Sequence, residues 1–140
     1  MRTGMWIFFG CFFMGCAVIG GLWSWPAYRQ HQKKHSGQRA ADLGALLAFT
    51  ENSYRLRMGT FTDDFSQLEP FLTTTVPCAL TASPFVCEGY VYTVEKPHWL
   101  LAAQQDDPQV YIAFDLEQGF VDCTHAPQAL QHTPVCSVLE

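Results

Sequence analysis

Charge is scarce in this 140-residue chain, and one long stretch has almost none. Charged residues make up 15% of the whole, but from Gly4 to Trp25 the only ionisable side chains are Cys11 and Cys16. That stretch is too apolar for a solvated surface helix. Lys and Arg are absent after Lys96, which leaves the second half acidic within a net charge of −5. An acidic half with no basic patch argues against nucleic acid as a partner. There is no Gly-rich phosphate loop, no Gly-x-Ser-x-Gly and no His-Glu-x-x-His helix, so no motif announces an enzyme or a cofactor. Internal repeats and low-complexity runs are also missing. Proline is absent from Ala27 to Met58, which holds only two glycines, Gly37 and Gly44; nothing there breaks a long helix.

What is present begins with the apolar run. Trp6, Ile7, Phe8, Phe9, Phe12, Phe13, Val18, Ile19, Leu22 and Trp23 fill it, and Pro26 closes it. As a helix it reaches about 30 Å, the thickness of a bilayer core. A secretory signal has an apolar core of only about 7 to 15 residues and ends in an A-x-A-like site. This run is longer and ends in Trp25-Pro26-Ala27-Tyr28. It reads as a retained transmembrane helix, with Trp23, Trp25 and Tyr28 at the far interface.

The remaining 115 or so residues suffice for one small domain. Four of the six cysteines lie in it: Cys78, Cys87, Cys123 and Cys136. Four cysteines allow three pairings, and joining neighbours, Cys78 with Cys87 and Cys123 with Cys136, closes the shortest loops. Disulfides require an oxidising space, which puts the domain outside the cytoplasm. Arg29, Lys33 and Lys34 on the far side of the span, against Arg2 before it, would favour the opposite orientation. The cysteines are taken as the stronger constraint.

Leu43, Leu46, Leu47, Thr50 and Tyr54 recur at helical spacing and predict an amphipathic helix. A second row, Ala45, Phe49 and Leu56, is expected to widen its buried stripe. Gly59 is placed to cap it, and a short helical turn carrying Phe65 and Leu68 ends at Pro70. A Thr-, Ser- and Pro-rich loop follows, to Pro84. Gly89–Val94, His98–Ala103 and Gln109–Phe114 are β-rich runs separated by turn residues, with Gly119–Cys123 as a further candidate. They predict an antiparallel meander of three or four strands. The fold class expected is α+β: a long N-terminal helix, half transmembrane and half amphipathic, packed on a small antiparallel sheet.

Cys123, His125, His132 and Cys136 have the types and spacing of a zinc site, but in an exported domain a disulfide with two surface histidines fits them better, so no metal is expected. His31 and His35 stand four apart beside Lys33 and Lys34 and read as a solvated face. Asp63-Asp64 and Asp106-Asp107 read as turn caps. An enzyme would need a pocket among Asp115, Glu117, Asp122 and His125 that no motif marks. In the apolar run Gly10, Met14, Ala17, Gly21 and Ser24 form a small-residue stripe suited to helix-on-helix approach.

The order of parts resembles the type IV pilin and pseudopilin superfamily over the whole chain. Met1-Arg2-Thr3-Gly4 is similar to a prepilin leader, Pro26-Ala27-Tyr28 to the Pro-x-Tyr that follows the hydrophobic half-helix, Tyr54 to Gly59-x-Phe61 to the end of the pilin helix, and Cys123 to Cys136 to the terminal disulfide-bounded region. The resemblance implies cleavage by a prepilin peptidase after Gly4 and methylation of Met5. It further implies a leader at 1–4, a transmembrane or filament-core helix at 5–26 bent at Pro26, and a pilin-like extracytoplasmic domain at 27–140. The expected protein is a structural subunit of a type IV pilus or type II secretion-like pseudopilus, packing through Gly10, Ala17 and Gly21. Its expected partners are other pilin or pseudopilin subunits, the peptidase, and the membrane and assembly machinery of a bacterial inner membrane; from there it passes to a fimbrium or the cell surface. The pattern departs at Phe9, where pilins keep a Glu that pairs with a neighbour's N-terminal amine. Its absence points to a minor subunit, or else to a membrane-anchored extracytoplasmic binding module that never polymerises.

Overall fold

The computed structural model describes the backbone of residues 3–131 and 133–136, and the side chains of Pro26, Tyr28, Arg29, 31–131 and 133–136. Two compact units make up the chain, Met1–Lys34 and His35–Glu140. Helix α1 (Thr3–Met58) opens it, with Pro26 inside the helix.

The transmembrane half of the expected fold class is corrected here. Among the described residues no helix is long and apolar enough to cross a membrane. The physical reason is charge: from Tyr28 onward α1 carries Arg29, Lys33, Lys34, Arg39, Asp42, Glu51, Arg55 and Arg57, and each charge at a bilayer centre costs several kcal/mol. The side chains of the apolar run lie outside the described residues. The plan that stands is one long helix with a five-stranded antiparallel sheet.

In the second unit, α1 turns one face inward. Ala40, Leu43, Leu47 and Tyr54 are buried, with Thr50 and Glu51 among them. Burying a Leu contributes about 1.5 to 3 kcal/mol, so Leu43 and Leu47 fix which face the helix presents. Gly59, with φ of 84°, ends α1 by donating its N–H to the Arg55 carbonyl at 2.7 Å, the left-handed cap that glycine adopts without steric cost. A 3₁₀ turn at Phe65–Phe71 follows, capped by Asp64, whose Oδ1 accepts from the Ser66 N–H. Pro70 sits inside that turn rather than ending it.

The sheet is a meander in sequence order: β1 (Phe85–Cys87), β2 (Tyr90–Glu95), β3 (Trp99–Gln104), β4 (Tyr111–Asp115) and β5 (Val121–Asp122). The strand β1, just past the loop expected to run to Pro84, is not among the strands the sequence predicts. It is only three residues long, and it pairs with β2 through Glu88-Gly89, both at positive φ (50° and 83°), the backbone of a two-residue hairpin turn. Register places Phe85 beside Tyr92, Tyr92 beside Ala102, and Ala102 beside Ile112. Leu100 beside Phe114 forms the next row. These side chains are buried because residues two apart along a strand share a face.

Helix and sheet meet closely at Gly44, where any Cβ would collide with the Phe114 ring. The Tyr92 hydroxyl donates to the Ala40 carbonyl at 3.3 Å and ties β2 to the same face. From the C-terminal segment, Leu130 covers α1 at Gly37, 3.1 Å from where a Cβ would stand.

Candidate assembly surface

The other face of α1 was expected to be buried and is not. Phe49 is 60% exposed and Leu56 83%, and Ala45 is also exposed. At about 100° per residue, Ala45, Phe49 and Leu56 fall roughly 200° around the helix from Leu43 and Leu47. One sheet covers one face of a helix, so this second apolar row points away from it. Near it, the Arg55 guanidinium lies 5.1 Å over the Phe61 ring and that of Arg57 lies 5.5 Å over Phe71. At the other end of the unit's helix, Arg39 pairs with Glu88 at 3.1 Å across an exposed surface, which contributes little.

The residues expected to process and pack the helix, Gly4, Met5, Gly10, Ala17 and Gly21, fall within the backbone of α1, and their side chains lie outside the described residues; so does that of Phe9. Pro26 is exposed. Cys78 is bonded to Cys87 with an S–S distance of 2.01 Å, and Cys123 to Cys136 at 2.04 Å. The second bond takes both thiols from the zinc alternative, and His132 is outside the described residues. Among the described residues no three His, Cys, Asp or Glu are placed to hold a metal.

Asp115, Glu117, Asp122 and His125 make separate local contacts. Asp115 is buried and accepts the N–H groups of Glu117 and Gln118 at 2.8 and 2.7 Å, which turns the chain out of β4. Its Oδ2 lies 3.5 Å from His98 Nε2, and Glu117 reaches His98 Nδ1 at 3.8 Å. Asp122 accepts from the hydroxyl and N–H of Thr124, which hold its carboxyl below the usual range. His125 stacks on Tyr111 at 4.8 Å. No nucleophile and base face each other across a cavity in this set. Open clefts lie elsewhere among the described residues. One, of about 550 Å³, is lined by the Thr73–Val76 loop with Glu69 and Leu80; another, of about 420 Å³, by Phe61, Thr62, Asp63, Val94, Lys96 and Pro97.

No known protein family, characterised protein or solved structure matches this chain. The likeness to pilins therefore stands on the order of segments and on the residues named for it. Sequence reasoning missed the direction in which Phe49 and Leu56 point, because helical spacing shows that a row is apolar and not which of two rows meets the sheet. It also passed over Glu51, whose burial no sequence pattern signals.

Proposed function

We propose that the protein is a structural subunit, of the minor kind and without enzymatic activity, of a type IV pilus or type II secretion-like pseudopilus. The observation that carries the reading is the apolar row Ala45, Phe49 and Leu56 on a helix whose opposite face already packs on the sheet. A helix with an apolar row turned away from its one sheet has side chains to offer to other subunits, because exposed apolar groups gathered on one side are suited to an interaction site. The two disulfides suit a domain that works outside the cytoplasm. Processing by a prepilin peptidase after Gly4 and methylation of Met5 complete the proposal, with other pilin or pseudopilin subunits and the assembly machinery as partners.

A second reading is favoured by one residue. Phe9 stands where a filament subunit would carry the Glu that meets its neighbour's amine, so a binding module that does not polymerise fits that position better.

The test is intact mass and N-terminal sequencing of the chain expressed with and without a prepilin peptidase. A product beginning at methylated Met5 is expected; an uncut Met1 overturns the proposal. A Phe49→Lys, Leu56→Lys variant should leave the fold intact and abolish incorporation beside authentic pilins. Unchanged incorporation removes this face from the assembly.

A further inference from the structure

The face of the sheet turned away from α1 is also apolar. Val86, Val91, Ala103 and Tyr111 stand side by side across β1 to β4, and Thr93, Leu101 and Ala113 form the next row. That row meets charge only on β5, at Asp122, which is bonded to Thr124. Val86 is 50% exposed, and Val91, Thr93, Leu101, Ala103 and Tyr111 are half-buried. The neighbouring elements reach the sheet from the other side: α1 at Phe114 and Tyr92, and the 3₁₀ turn at Phe85. Leu130 lies on α1 itself. Among the described residues no helix or strand is layered on the outward rows. An antiparallel sheet with one face in water ordinarily alternates apolar with polar side chains. This one is apolar on both faces, the pattern of a middle layer.

Charge gathers at the rim instead. Glu95 ends β2, Asp106 and Asp107 lie in the β3–β4 turn, and Glu117 follows β4; all are exposed. Lys96 is the only Lys or Arg after Arg57. Four strands about 4.8 Å apart, carrying two side-chain rows about 7 Å apart, make a patch of roughly 300 Å². That is the size of surface patches that serve interactions, and well below the ~800 Å² per partner of a stable dimer. Two copies meeting face to face would also oppose two acidic rims. A single helix, about 10 Å across, fits the patch, and cations flanking its apolar stripe answer the rim.

We propose that the outward face of the sheet is a docking surface for a basic amphipathic helix, which lays its apolar stripe on Val91, Leu101, Ala103 and Tyr111 and sets Lys or Arg against Glu117, Asp106 and Asp107. This surface is separate from the row Phe49 and Leu56 on α1, and it stands or falls apart from any role in a fibre.

The probe is a synthetic amphipathic peptide of Leu and Lys, about 12 residues long for three helical turns, titrated into the full chain and followed by backbone amide shifts. Shifts are expected at Val91, Leu101 and Tyr111. Val91→Thr with Leu101→Thr, which keeps β-branched residues in the strands, should raise the dissociation constant about tenfold or more. Asp106→Asn with Glu117→Gln should weaken binding at low salt and flatten its salt dependence. Shifts confined to the surroundings of Phe49 and Leu56 overturn the proposal, as does equal binding of a Leu and Glu peptide of the same pattern. So does self-association of the free chain, or its binding to neutral lipid vesicles, that the two threonines abolish, since a second copy or a lipid surface then covers the face. Should the threonine variant fail to fold, the wild-type shift map and the rim variant decide: unchanged affinity and salt dependence in the rim variant end the proposal.

Discussion

At the scale of single residues, Glu51 makes stability depend on pH. Its carboxyl moves from 4.5 to about 7 on folding, chiefly by desolvation, against the Thr62 hydrogen bond and with help from Asp63. A carboxyl raised in the folded state favours folding when protonated. That contribution is complete below pH 4.5 and disappears as pH rises through 7. At about 1.4 kcal/mol per unit, the wild type should lose roughly 3 kcal/mol between pH 4.5 and 8 from this group alone. Urea unfolding of Glu51→Gln should match wild type near pH 4.5 and exceed it by roughly 2 to 3 kcal/mol at pH 8. A variant no more stable than wild type at pH 8 would mean that the buried carboxylate finds a partner when ionised. None of this was legible in the sequence. Glu51 follows Thr50 in a run of polar and apolar residues, and only the folded structure buries it, with the Thr62 N–H, eleven positions on, bonded to its carboxyl.

Among the elements, helix and sheet are matched through a missing side chain. Replacing Gly44 with Ala should help an isolated helix by about 1 kcal/mol. Here the added methyl meets the Phe114 ring, and overpacking of this kind costs about 1 to 3 kcal/mol. Gly44→Ala should therefore be destabilised by roughly 1 to 2 kcal/mol in denaturant titration, and Phe114→Leu beside it should recover part of the loss. A stabilised Gly44→Ala would show that the helix stands further from β4. The same pairing explains what could be read in advance about α1. Leu43, Leu47 and Tyr54 announced the buried face by spacing alone. Ala45, Phe49 and Leu56 have the same spacing, and the sheet's single layer left them outside.

For the whole molecule, the disulfides bracket the sheet. Cys78–Cys87 ties the loop before β1 to the end of that strand, and Cys123–Cys136 ties the end of β5 to the C-terminal segment that brings Leu130 onto α1. They close separations of 9 and 13 residues, and by loop entropy each should contribute about 3 kcal/mol. Cys123→Ala with Cys136→Ala should lower the unfolding free energy by roughly that amount and expose Gly37 amide exchange by releasing Leu130. A loss confined to stability, with Gly37 still protected, would show that Leu130 holds its place without the bond.

Local chemistry determined in advance the long helix, its cap at Gly59, the strands β2, β3 and β4, and an α+β plan, because helix and strand periods, glycine and turn residues act over a few neighbours. Charge along α1 after Tyr28 sets how far any apolar segment extends, and among the described residues none is long enough to cross a membrane. Tertiary structure alone decided the rest. It brought out the strand Phe85–Cys87, too short to announce itself, and turned Phe49 and Leu56 to solvent. It also buried Glu51 beneath Thr62. Each of these depends on which surface a distant segment covers, and coverage is a property of packing between elements that no local period encodes.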